Sequence, residues 1–251
     1  MDWPWVLCGA GLGLLVGSFI GAVALRLPRG ESIVTGRSKC DGCGRVLSVR
    51  DLFPVFSYLL SKGRCRTCGA VIDRGHILAE VGAAAIGAGA VALGSDWLEI
   101  AATAVFGWQL LLLALLDGRH FWLPMRFVAL LAVSAVLVTL GAGGGWQAAA
   151  LSQLAGGALG FALLAGPALA YRWLRGKDGM GAGDPWLLGA IGLWLGMTGV
   201  IATLFLAALA GIAAALVLKI AGREVDSQSA LPLGLFLALA AIAVRMAGFP
   251  L

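Results

Sequence analysis

Apolar stretches close to 20 residues long recur along most of the chain, separated by short polar or glycine-rich breaks. An α-helix rises about 1.5 Å per residue, so each stretch covers about 30 Å, the thickness of a bilayer's hydrocarbon core. The pattern predicts eight spans, roughly 4–27, 77–94, 97–116, 122–142, 147–171, 186–199, 200–220 and 231–249. The sixth is short and rich in glycine, and the turn after it, Met197-Thr198-Gly199, is barely a loop. A seven-span count, with 186–199 re-entrant or inserted with its neighbour, is the alternative. One long polar segment, 28–76, interrupts the pattern. The expected fold is therefore an all-α polytopic membrane protein: a first transmembrane helix (1–27), a cytoplasmic loop domain (28–76) and a transmembrane domain (77–251).

Composition closes off the soluble reading. The 251 residues are 60% hydrophobic and 12% charged, with a mean hydropathy of +0.94. Soluble domains are about half apolar and about a quarter charged, and these residues cannot supply the polar shell that buried helices would need. The first stretch reads as a retained helix rather than a signal peptide. Met1-Asp2-Trp3 offers no basic n-region, Arg26 and Arg29 lie on the far side, and no A-x-A-like cleavage site follows.

The net charge of +5 does not call for nucleic acid, because ten of the 18 Lys and Arg fall between Arg26 and Arg74, in a loop beside a span. Cations in such loops mark the cytoplasmic side. By the same rule loops 117–121 (Arg119), 172–185 (Arg172, Arg175, Lys177) and 220–230 (Arg223, beside Lys219) are cytoplasmic, with both termini outside. Arg245 is the dissenter, expected to snorkel to the outer interface. Gly9, Gly13, Gly17 and Gly21 recur every fourth residue, which lets helix backbones approach closely in lipid.

The polar loop carries Cys40-x2-Cys43 and Cys65-x2-Cys68, each pair followed by glycine (Gly44, Gly69), with positions 44–64 between them. Two such knuckles match a four-cysteine zinc site, closed and therefore structural. Disulfides are disfavoured on a reduced, cytoplasmic side. A loop this small builds little hydrophobic core, so a metal staple makes physical sense. Cys8, inside the first span, reads as a buried thiol.

Ionisable residues at membrane depth are costly and therefore candidates for function. Asp96 and Glu99 begin a span at its outer end, where solvation accounts for them. Glu80, near the start of the second span, is open to solvation, to a cation partner or to a site. Asp117 closes the apolar run Leu110–Leu116, with Pro124 seven residues on. Asp184 ends Gly181-Ala182-Gly183-Asp184, and Pro185 suits the first turn of the helix that follows. Both acids fall at one membrane face on different helices. Two carboxyls in one environment do not both ionise readily, so one holds a proton while the other takes one from water, as amide hydrolysis requires. Helix capping is the plainer reading of each aspartate alone.

These residues together resemble the bacterial prepilin peptidases (type IV leader peptidases), GxGD-class membrane aspartyl proteases. Gly181-Ala182-Gly183-Asp184 matches the motif that names the class, and Asp117 with Leu123-Pro124 its first-aspartate motif. Gly17-Ser18-Phe19, Arg26-Leu27-Pro28, the cysteine pairs and Leu231-Pro232-Leu233-Gly234-Leu235-Phe236-Leu237-Ala238 are similar too, so the likeness covers nearly the whole chain. Met125 stands where the family commonly has Asp after Leu-Pro, and His76-Ile77-Leu78-Ala79-Glu80 replaces its usual Tyr-Pro-x-Val-Glu. The resemblance implies a peptidase domain at 77–251 with Asp117 and Asp184 catalytic. It implies cytoplasmic-side cleavage of leaders from type IV prepilins or type II secretion pseudopilins, in the bacterial inner membrane. It also implies, in many members, methylation of the new N-terminus with S-adenosylmethionine, for which the sequence assigns no binding residues. The zinc loop sets the chain apart from other GxGD proteases. A non-catalytic transporter or secretion scaffold with a zinc-stabilised loop is the reading from another class.

Overall fold

The computed structural model describes residues 3–33, 35–141, 146–177, 179–222 and 231–249. Arg223 and the connection 142–145 lie outside the described residues. Those described are helical or irregular, and their only β pairing is two isolated bridges. The helices are α1 (Trp3–Arg26), α2 (Phe56–Leu60), α3 (Arg74–Leu93), α4 (Trp97–His120), α5 (Met125–Gly141), α6 (Trp146–Arg175), α7 (Asp184–Ile220) and α8 (Leu233–Met246). Five described helices are long and apolar enough to cross a membrane, and α5 and α8 are shorter apolar helices. The chain forms two compact units, Met1–Ser95 and Asp96–Leu251.

In the first unit α1 lies directly on α3. A Cβ on Gly9 would stand 2.5 Å from the Gly87 carbonyl oxygen, and one on Gly17 2.6 Å from that of Ala79. The four-residue glycine stripe is thus the contact face, and Ala79 and Ala83 opposite it are wholly buried. Close approach of this kind replaces the hydrophobic drive that lipid cannot supply between apolar helices. The cysteine loop joins the two.

The second unit is built around α4 and the first half of α7. Phe106, Leu110, Leu113, Leu187, Leu188, Ile191 and Trp194 are buried in one cluster with Leu131 of α5 and Leu237 of α8. The Trp194 indole N–H donates to the Leu131 carbonyl at 2.8 Å, tying α7 to α5. At Gly196 the backbone takes φ 63°, ψ −170°, a conformation open essentially to glycine alone. This kink divides α7 into two arms that correspond to the predicted sixth and seventh spans, one residue before the expected turn.

Arg245 corrects the sequence reading. It does not snorkel outward but is 6% exposed. It donates to Glu99 Oε1 at 2.5 Å, Thr103 Oγ1 at 3.0 Å and the Phe249 carbonyl at 2.7 Å. Glu99, assigned to solvent, is its partner, and together they lock α8 to α4.

Candidate active site and metal centre

Asp117 sits in the last turn of α4 and Asp184 is the first residue of α7, each only 5% exposed. Phe121, in left-handed conformation (φ 49°), ends α4 just after Asp117 and turns the chain toward Leu123-Pro124 and α5. The fold brings both aspartates up to Leu123, whose side chain lies against Gly183 next to Asp184 and against Gly234 beside Asp117.

Their surroundings are backbone and glycine. The Leu235 N–H donates to Asp117 Oδ2 at 2.8 Å, and the Gly234 N–H donates to the same carboxyl group. The first N–H groups of any helix lack partners within it. The start of α8, capped by Pro232 with no side-chain hydrogen bond, gives its free donors to Asp117 instead. A Cβ on Gly234 would lie 2.9 Å from Asp117 Oδ2, and one on Gly181 2.9 Å from Asp184 Oδ2. Leu123 fills the space between: a Cβ on Gly183 would lie 2.8 Å from its Cβ, and one on Gly234 3.0 Å from its Cδ1. Sequence reasoning missed Gly234 and Leu235 as partners of Asp117. The available signal was Pro232-Leu233-Gly234, a helix start with no Ser, Thr, Asp or Asn to cap it.

Glu80 belongs to the first unit and is buried; its Oε2 accepts the Val55 N–H at 2.7 Å, tying α3 to the cysteine loop. In that loop the two knuckles fold alike. Gly44 N–H donates to the Cys40 carbonyl and Cys40 N–H to that of Arg45, both at 2.9 Å; Gly69, Cys65 and Ala70 repeat the pattern at 2.9 and 2.8 Å. Gly44 (φ 69°) and Gly69 (φ 72°) take the left-handed conformation expected of the trailing glycines. The sulfurs of Cys40, Cys43, Cys65 and Cys68 all lie within 4.8 Å of one another, and Cys40 Sγ is 3.8 Å from Cys68 Sγ. A tetrahedral Zn²⁺ with bonds of about 2.3 Å needs sulfurs about 3.8 Å apart.

Charge argues the same way. N–H groups of Cys68 and Thr67, then the Cys40 thiol, hold the Cys65 thiol down to about 6. At Cys68 the Ala70 N–H favours the thiolate, but burial and hydrogen bonds with Cys43, Cys65 and Cys40 outweigh it and push the thiol up to about 11. With no cation among them the cluster favours one thiolate over its neighbours, and a metal ion is what would let all four sulfurs ionise. Asp51 braces the pair from outside. It meets Arg45, after the first knuckle, at 3.1 Å and Arg66, inside the second, at 3.9 Å. It also accepts from the Ser48 N–H at 2.9 Å and hydroxyl at 2.8 Å.

Two family models match the chain: the bacterial peptidase A24 N-terminal domain over residues 12–93, and the type IV leader peptidase family over 104–216. A protein of Burkholderia pseudomallei (strain K96243), named prepilin leader peptidase/N-methyltransferase, is 33% identical, covering 95% of this chain and 84% of its own length. The chain belongs to the type IV leader peptidase family. Proteins of the same name from Pseudomonas aeruginosa (30% identical; 94% of this chain, 88% of that one) and Bacillus subtilis strain 168 (33%; 84% of each) are also similar. No solved structure matches. As a member of this family of proteases the chain is an enzyme and a multi-pass inner-membrane protein. The N-terminal domain match takes in the cysteine loop, and the leader peptidase match takes in both aspartates.

Proposed function

We propose that this enzyme cleaves the leader peptides of type IV prepilins or type II secretion pseudopilins at the cytoplasmic face, with Asp117 and Asp184 as its catalytic dyad. The observation that supports this most is that two buried carboxyls, from α4 and α7, stand on either side of Leu123 among glycines and backbone N–H groups. One aspartate takes a proton from a water held between the two, and that water attacks the scissile carbonyl. The other gives its proton to the carbonyl oxygen. When the tetrahedral intermediate collapses, the amide nitrogen leaves with a proton and the dyad again shares one. Gly181 lets the backbone pass in close contact with the Asp184 carboxyl, and Gly183 makes room for Leu123.

Residues 28–76 act as a domain stapled by one structural Zn²⁺ on Cys40, Cys43, Cys65 and Cys68. The relatives' names carry a second activity, methyl transfer, whose donor is S-adenosylmethionine. A cavity of about 550 Å³ in the first unit, lined among others by Ser18, Arg26, Asp73, His76 and Glu80, falls in the usual range for such ligands. Asp73 and Glu80 suit the donor's cationic groups and Arg26 its carboxylate. A transporter would place its acids near the bilayer midplane, whereas Asp117 and Asp184 stand at helix ends.

The test is incubation of purified protein and S-adenosylmethionine with a prepilin, followed by mass spectrometry. The expected product lacks the leader and carries one added methyl. Intact prepilin after prolonged incubation with folded enzyme overturns the peptidase assignment.

A further inference from the structure

The cysteine loop presents an apolar surface that neither the metal centre nor the peptidase uses. Val49, Phe53, Phe56 and Leu60 are 81%, 58%, 56% and 78% exposed, and they converge with Arg50 and Arg66 on one shallow cleft of about 380 Å³. Phe53 and Phe56 pack in a tilted pair, 5.6 Å between ring centroids and 58° between ring planes. Pro54 and the single turn of α2 present these side chains outward instead of folding them onto the knuckles. So much exposed aromatic and aliphatic surface in so small a domain marks an interaction site.

We propose that this cleft seats the loop on the anionic lipid surface of the membrane that the chain spans. The loop is tied at both ends to membrane helices, α1 with its extension to Arg29 and α3 from Arg74, so a lipid surface is the apolar phase within reach of it at all times. Charge selects the same partner. Positions 30–73 hold seven Lys and Arg (37, 39, 45, 50, 62, 64, 66) against four Asp and Glu (31, 41, 51, 73). Arg50 and Arg66, which line the cleft, are exposed, as are Lys62 and Arg64 of the same loop. Aromatic and aliphatic side chains bordered by cations are the pattern of proteins that lie in the headgroup region. The seated loop would hold the zinc domain flat against the bilayer, where a membrane-anchored substrate arrives.

The full-length protein is reconstituted in nanodiscs of phosphatidylcholine alone, or of phosphatidylcholine with phosphatidylglycerol. The photoreactive residue p-benzoylphenylalanine replaces Phe53, Phe56 or, as a control, the exposed Val71 outside the cleft. Irradiation at positions 53 and 56 is expected to give adducts of lipid mass, about fivefold more with phosphatidylglycerol present. Position 71 is expected to give few. Arg50→Gln lowers the yield toward that of phosphatidylcholine discs, while an unchanged zinc content shows that the loop remains folded. Adducts to residues 96–251 of this chain or to added prepilin, equal yields in the two discs, or equal labelling at position 71 would each overturn the proposal. Prepilin cleavage by the same preparations, unaffected in either case, keeps this result separate from the peptidase assignment.

Discussion

Among the described residues, glycine and backbone rather than charged side chains surround the two aspartates. Asp184 was legible because Gly-Ala-Gly-Asp-Pro is a local signature, its glycines making room and its proline starting a helix. The role of Gly234 was not, because a backbone N–H carries no side-chain signature and its partner lies over a hundred residues away. Gly234→Ala places a methyl group 2.9 Å from Asp117 Oδ2. Displacing the carboxyl by a fraction of an ångström is expected to lower kcat for prepilin cleavage by roughly 10²-fold while the melting temperature of the detergent-solubilised protein changes little. Asp51 yields a pH prediction. The Arg45 guanidinium, then the Ser48 N–H and hydroxyl, hold its carboxyl down from 3.8 to about 2. Its stabilising effect is therefore complete above the unfolded value near 3.8 and is lost as pH falls from there through about 2. In metal-free protein at pH 4, pepsin should nick the loop of Asp51→Asn more readily than that of wild type, and the difference should vanish by about pH 2. Equal resistance of the two at pH 4 would show that Asp51 braces nothing.

At the scale of elements, apolar length and glycine spacing gave the helices and the α1–α3 contact face. Partners within the membrane were harder to read. Arg245 next to a helix end looks like a snorkelling cation in one dimension, and only the packing of α8 on α4 shows Glu99 and Thr103 waiting for it. The break in α7 was expected from its glycines, but several lie close together and only the φ of Gly196 says which one turns. Arg245 is buried and its partner Glu99 partly so, so removing the arginine strands a carboxylate and the buried Thr103 hydroxyl, at about 2 kcal/mol. Arg245→Ala is thus expected to lower the thermal stability of the detergent-solubilised enzyme substantially. Arg245→Met with Glu99→Gln is expected to recover most of the loss. If the double variant is no more stable than the single one, the pair is not what locks α8 to α4.

Over the whole molecule, the long-range pattern of apolar and basic segments gave an all-helical membrane protein with a cysteine loop. The orientation of its loops remains an inference from their cations. On the proposed reading the cysteine loop serves methyl transfer and the two aspartates serve proteolysis. Purified protein should carry close to one zinc per chain, and a single Cys→Ser change should lower that and open the loop to proteolysis. The described residues around the two aspartates (Leu123, Gly181, Gly183, Gly234 and Leu235) belong to the second unit, so cleavage should survive zinc removal far better than methylation does. Loss of both in parallel would mean that the loop takes part in proteolysis.

The account rests above all on Asp117 and Asp184 acting as a unit. Its most direct test is the rate of prepilin cleavage by Asp117→Asn, Asp184→Asn and the double variant, each verified as folded. Asparagine keeps the size and most of the hydrogen bonding but cannot exchange a proton with water or carbonyl. Each single change should nearly abolish cleavage, and the double variant should be little worse than either, because neither carboxyl works alone. A folded Asp184→Asn enzyme that cleaves prepilin at close to the wild-type rate would contradict the account.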